Sequence, residues 1–234
     1  MDRLESLLAR YGATESLAWV AGRSIAMDRD YREANTKADY LLLTRGEGQP
    51  ASGFDGVRRA VAAAHALGTG DTDIPPLAVT DRQGRKRMIG GGEVFVDLNF
   101  RPDRERAKVA ALAGAGAFLQ KEAAQRGRVF GLDWLDPGLK LRICTIAEYH
   151  PEFESSYGVK VAYQVKPQAN NLLALWPEVL PDSKYLLVAE SVKALHMGYF
   201  FRGRRAAPAA AGVEDRHLVP SYSEQDGVRS DSDF

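Results

Sequence analysis

The spacing of hydrophobic positions changes period most clearly between residues 93 and 114. Over residues 93–100 apolar and polar side chains alternate: Val94, Val96, Leu98 and Phe100 fall on one face, Phe95, Asp97 and Asn99 on the other. That period of two predicts a strand. Ala107, Ala110, Ala111 and Gly114 then recur at i, i+3, i+4 and i+7, a helical stripe of small residues. The switch is made by Arg101-Pro102-Asp103-Arg104. Pro102 suits the first helical position, where its missing N–H costs little. Asp103 suits the positive end of the helix dipole. Arg101 and Arg104 stand at the mouth of a strand-to-helix turn, the place where open α/β sheets bind ligands. Two guanidiniums there can grip an anion through paired N–H donors. Arginines in a first helical turn also make surface ion pairs worth about 0–1 kcal/mol. This stretch alone leaves both readings open.

The rest of the chain continues the alternation. Residues 1–11 predict a short helix with Leu4, Leu7 and Leu8 on one side, ended by Gly12. Residues 16–21 are a compact apolar run, read as a buried strand. A second strand end follows, Gly22-Arg23-Ser24-Ile25-Ala26-Met27-Asp28-Arg29-Asp30, again with two arginines in a charged turn. In that turn Asp28 and Asp30 can also simply pair with Arg29. Helices are predicted at 31–45, stopped near Gly46, and at 54–67, with Val57, Val61 and Ala64 inward. A strand is predicted at 77–80 and a polar loop at 81–92. Gly90-Gly91-Gly92 reads as a turn, since no lysine and no helix follow it directly. Later elements are a helix at 118–125, strands at 141–147 and 159–165, a helix at 170–176 and a strand at 185–189. Residues 191–196 read as a helix or turn. Order is expected to fade from Arg202 into a polar tail. Strands separated by helices imply an α/β fold, a mostly parallel sheet with helices on both faces. Pro167 marks the start of a second unit.

Composition narrows the function classes. Lys+Arg and Asp+Glu both number 31, so net charge gives no reason to expect nucleic acid or an anionic membrane as partner. Cys144 is the only cysteine; a disulfide framework is impossible, and a cytoplasmic setting is expected. No apolar run is long enough to span a bilayer. His65, His150, His196 and His217 are scattered without metal-ligand spacing and read as surface or satisfied core residues.

The two arginine-bearing turns, GRSIAMDRD and NFRPDR, together resemble the cofactor-independent (2,3-bisphosphoglycerate-independent) phosphoglycerate mutases. That family carries G-R-Y-Y-A-M-D-R-D and, downstream, N-F-R-P-D-R; Ser24 and Ile25 stand here for its two tyrosines. IAEYHPEF, LLVAESVKALHMGYFFRG and GVEDRHLVP are similar to further family segments in the same order. The resemblance runs from about Leu4 to Pro220. It implies two domains. Residues 1–165 would be most of the inserted substrate-binding (phosphotransferase) domain. Residues 166–234 would begin the return to an alkaline-phosphatase-like domain. It further implies that Arg23, Arg29, Arg101, Arg104 and Lys193 bind 3-phosphoglycerate or 2-phosphoglycerate. Two metal ions, commonly manganese, and a phosphoryl-carrying serine belong to the complete enzyme. Nothing here resembles that serine segment, the family's H-A-F-x-D-G-R-D stretch or its later metal ligands. The chain is therefore expected to be an internal piece, inactive alone, monomeric, and without catalytic or metal-ligating residues of its own. An incomplete sheet would leave an unpaired edge prone to aggregate. The alternative is a non-catalytic binding module for small phosphorylated acids.

Overall fold

The computed structural model describes residues 2–164, 166–190, 193–194, 196–205 and 212–220. It divides into two units, Met1–Gln164 and Val165–Phe234.

The first unit runs α1 (Asp2–Arg10), β1 (Trp19–Val20), α2 (Arg23–Ala26), α3 (Glu33–Arg45), β2 (Gln49–Ser52), α4 (Gly53–Ala66), β3 (Leu77–Thr80), β4 (Val94–Asp97), α5 (Pro102–Leu112), α6 (Gly116–Ala124), β5 (Arg142–Ala147), α7 (Pro151–Tyr157) and β6 (Lys160–Tyr163). The fold is α/β, as the alternation of periods predicted, but its strands form two small sheets. One has the order β1-β3-β2, with β1 antiparallel and β2 parallel to β3. The other, β4-β5-β6, is wholly parallel and flanked by helices. Residues 16–21 yield only the two-residue β1, because Thr14–Ser16 coil into a 3-10 turn.

The main core lies between α3, α5, α6 and the parallel sheet, and includes Tyr40, Val109, Leu112, Phe118, Ile143 and Phe153. The stripe on α5 behaves as its period predicts: Ala107, Ala110 and Ala111 are buried, letting α3 approach α5 closely. Gly114 leaves the stripe. At φ +70° it turns the chain between α5 and α6, a conformation glycine adopts without cost. Gly46, at φ +63°, ends α3 in the same way, its N–H bonded back to Leu42.

The faces of β4 are distributed against simple hydrophobicity. Asp97 is buried and Phe95 packs on the main core, whereas Val94, Val96, Leu98 and Phe100 are exposed. Asp97 is drawn inward by polar partners described below.

The second unit contains α8 (Leu172–Val179), β7 (Tyr185–Glu190), a π-helical turn at His196–Phe200 and β8 (Glu214–Val219). Asn171 caps α8 by accepting a hydrogen bond from the Ala174 N–H at 3.0 Å. β8 pairs parallel with β7 along six residues, so order does not fade at Arg202 as expected. The buried Arg202–Glu214 pair, 3.8 Å apart, helps to anchor β8. The predicted tail beyond Pro220 lies outside the described residues, as do positions 191, 192 and 195 of the predicted turn.

Candidate anion site

Each of the two arginine turns is built by a specific local contact. In the first, Gly22 has an ordinary φ of −66°, so backbone freedom is not its reason. Its N–H donates to Ile74 O at 2.8 Å, and a Cβ there would lie 2.4 Å from Thr72 O. Only a residue without a side chain fits. Ser24, which stands for a tyrosine of the family motif, donates from Oγ to the same Thr72 O at 3.0 Å. The short helix α2 thus starts on a fixed floor, with Arg23 at its first position. Asp28 then closes the turn: its carboxylate accepts from the N–H groups of Asp30 (3.1 Å) and Arg32 (2.7 Å). It fixes the turn through the backbone, with no ion pair to Arg29. Asp28 is buried, and burial raises its carboxyl above the usual range while the Arg32 and Asp30 N–H groups pull the other way. Tyr31 follows at φ +54°, a left-handed conformation rare for a bulky residue and of order 1–3 kcal/mol unfavourable.

The second turn hangs from β4. Asp97 Oδ1 accepts from the Asn99 N–H at 2.9 Å, and Asn99 Oδ1 accepts from the Arg101 N–H at 3.0 Å. Arg101 is the N-cap of α5 and Pro102 its first residue, as predicted. The Arg101 guanidinium makes a 3.4 Å pair with Asp103, both groups being well exposed. Such a pair is weak and easily exchanged for a ligand.

The two turns meet. Arg104 Nη1 donates to Met27 O at 3.3 Å, and Asn99 Nδ2 lies 3.8 Å from Met27 Sδ. Arg104 loses proton affinity first through burial, then through the positive charges of Arg29, Arg23 and Arg101. The four arginines that come from positions 23, 29, 101 and 104 therefore share one neighbourhood. Its positive charge is only partly compensated, by Asp103: among the described residues the guanidiniums of Arg23 and Arg29 make no hydrogen bond or ion pair, and the buried Nε of Arg104 has no acceptor. A 200 Å³ hollow elsewhere in this unit is lined by Glu5, Glu15, Asp55 and Asp81 beside Arg82, and that arginine is already paired with Glu15 at 3.2 Å. Lys193 belongs to the second unit, on the segment after β7.

Beneath the arginines lies a buried polar layer that the sequence reading did not pick out. Tyr149 reaches from the end of β5 to donate its hydroxyl to Asp97 Oδ1 at 2.8 Å, and the same hydroxyl touches Asn99 O. Glu105 accepts from Asn99 Nδ2 at 2.6 Å and from Lys108 Nζ at 2.8 Å. Asp39, on α3, faces the same lysine's field. Burial raises the Glu105 carboxyl, against the pull of Lys108. Burial also works against the Lys108 ammonium, but Asp39, Glu105 and Asp97 together outweigh it and hold it above the usual lysine value. The only sequence trace of this layer was negative: polar residues at Asp97, Asn99 and Glu105 where a core would be apolar.

No metal centre is built from these groups. Among the described residues no three His, Cys, Asp or Glu side chains are grouped to hold an ion. The Asp97 and Glu105 oxygens are engaged by Tyr149, Asn99 and Lys108. The residues described do not fit the family's metal pair.

Fold and site together define an α/β unit that presents converging arginines beyond its strand ends. Residues 1–149 match the family model described as BPG-independent PGAM N-terminus (iPGM_N). The chain belongs to that family. It is 33% identical over 225 residues to the 2,3-bisphosphoglycerate-independent phosphoglycerate mutase of Thermomicrobium roseum, covering 94% of this chain and 38% of that protein. The namesake from Chloroflexus aurantiacus is 27% identical over 228 residues, covering 94% and 40%. A crystal structure of Leishmania mexicana phosphoglycerate mutase at low cobalt concentration shares the fold at TM-score 0.61 and 21% identity, over 94% of this chain and 38% of that one. The chain thus spans about two fifths of the length of these relatives. Among the described residues no helix is long and apolar enough to cross a membrane.

Proposed function

We propose that this chain carries the substrate-gripping part of a cofactor-independent phosphoglycerate mutase, an isomerase that interconverts 3-phosphoglycerate and 2-phosphoglycerate in glycolysis. The observation that carries the reading is the shared neighbourhood of Arg23, Arg29, Arg101 and Arg104, joined by the Arg104–Met27 bond, with Asp103 the one carboxylate paired to it among the described residues. The substrate bears a carboxylate and a phosphate on three carbons, and each suits a planar guanidinium fork. A charge pair at about 4 Å is worth ~1 kcal/mol in water but ~4 kcal/mol at an effective dielectric near 20. The grip therefore strengthens as water is excluded. Holding the glycerate still while its phosphoryl group leaves and returns is itself catalytic, because phosphoryl transfer depends mainly on positioning and charge. Residues 1–165 serve as the substrate-binding domain and residues 166–234, which include Lys193, as the beginning of the phosphatase-like domain. The phosphoserine and two manganese ions of the complete, cytoplasmic, monomeric enzyme come from sequence outside this chain.

Calorimetry with 3-phosphoglycerate tests the grip. Arg101→Ala is the informative variant, since its side chain has only the exposed Asp103 as partner. Loss of one charged donor is expected to cost about 1.5–3 kcal/mol, roughly ten- to hundredfold in affinity. Equal affinity of wild type and variant would remove Arg101 from the site. Binding without any turnover, even when the missing part of a relative is supplied in trans, favours the module that only binds phosphorylated acids.

A further inference from the structure

Four like charges in one neighbourhood repel each other, so something other than ligand must hold the second arginine turn in place. The candidate is Asn99. Every polar group of this residue faces a polar partner, its carbonyl sharing the one Tyr149 hydroxyl proton with Asp97. Its N–H donates to Asp97 (2.9 Å), its carbonyl meets the Tyr149 hydroxyl, its Oδ1 accepts from the Arg101 N–H (3.0 Å), and its Nδ2 donates to Glu105 (2.6 Å). The partners come from three different elements: the end of β4, the segment after β5 and the first turns of α5. They are themselves immobilised. Tyr149 and Glu105 are almost wholly buried, and Glu105 is braced by Lys108 at 2.8 Å. The segment carrying Tyr149 is tied a second time to α5, because Arg106 Nε donates to Tyr149 O at 2.7 Å.

We propose that Tyr149 and Glu105 are positioning residues of the anion site. Through Asn99 they set the backbone from which Arg101 and Arg104 project, so that the positive cluster is already formed before an anion arrives. The claim rests on the anion-site reading given above. Buried, fully bonded polar networks also serve stability alone, so the test must separate the two roles. A clamp acts locally on residues 99–104; a purely structural network acts on the whole core.

The test uses the full chain as wild type, Tyr149→Phe and Glu105→Gln. Amide hydrogen exchange is followed over 97–106 and over the buried run 107–112, and 3-phosphoglycerate affinity is measured by calorimetry. Tyr149→Phe is expected to speed exchange at Asn99, Arg101 and Arg104 at least tenfold while 107–112 stays unchanged, and to weaken binding at least tenfold. Glu105→Gln keeps an oxygen for Asn99 Nδ2, and is expected to weaken binding less than Tyr149→Phe does. Uniform acceleration through 107–112 would overturn the proposal in favour of a structural role. So would local acceleration with unchanged affinity, or no change in either. Should Tyr149→Phe not fold, Asn99→Ala removes the centre of the clamp while leaving the Asp97–Tyr149 bond, and carries the same expectations. A wild-type chain that binds no 3-phosphoglycerate sinks the anion-site reading and this proposal's affinity claim together. The exchange pattern alone then decides whether the clamp exists.

Discussion

Single residues carry the strain and the misplaced charge in this molecule. Tyr31 is left-handed and buried, its ring lies 4.6 Å from the Arg126 guanidinium, and its hydroxyl has no partner. A buried unsatisfied hydroxyl costs about 1–3 kcal/mol, so Tyr31→Phe is expected to raise stability by about 1 kcal/mol in urea titrations. Gly22 is constrained in the opposite sense. Gly22→Ala pushes a Cβ into the backbone at Thr72, and overpacking of that kind costs about 1–3 kcal/mol. The same displacement moves Arg23, so loss of 3-phosphoglycerate affinity should accompany the lower urea midpoint. Asp39 titrates abnormally. Burial, first, pushes its carboxyl from an ordinary 3.8 up to about 7; Lys108 opposes this, and Glu105 and Asp97 add to it. The folded state thus favours the protonated acid. Its stabilising contribution is complete below about pH 4 and is lost as pH rises to about 7. Asp39→Asn should match wild type at about pH 4 and exceed it by on the order of 4 kcal/mol at about pH 8. That is on the order of ten degrees in Tm for a chain of this size. An equal difference at both pH values would exclude Asp39 as the titrating group.

Among the elements, β4 and α5 were the most legible and also the most misleading. Alternation gave the strand, Pro102 gave the helix start, and the alanine stripe gave the face that α3 meets. Which side of β4 turns inward was not legible from hydrophobicity. Two valines and a leucine face out because Asp97 must reach Tyr149, a partner more than fifty residues away. The two faces should respond differently to substitution. Ile143→Ala removes buried volume and is expected to cost about 2–5 kcal/mol. Val96→Thr changes a half-exposed position and should stay within about 0.5 kcal/mol. A large loss from Val96→Thr in denaturant titrations would mean that this face is covered in solution.

At the scale of the whole molecule, the chain divides into two units and spans about two fifths of the length of its relatives. It is expected to show no mutase turnover alone, with or without added manganese, in a coupled assay. Measurable turnover would require a nucleophile and a metal site within these residues. Family, α/β class and both arginine turns could be read from one dimension, because periodicity and motif spacing are properties of neighbours along the chain. The extent of β8 could not, because a strand of mixed polarity such as Glu214–Val219 is stabilised by β7 rather than by its own pattern. The convergence of arginines from positions 23, 29, 101 and 104 lay equally beyond local spacing. It depends on Gly22 meeting Thr72, on Met27 meeting Arg104, and on Tyr149 reaching β4, contacts whose partners are separated by 50 to 77 residues. Pairings at that distance are settled by packing and by the need of buried polar groups for partners, and the residue order along the chain states neither.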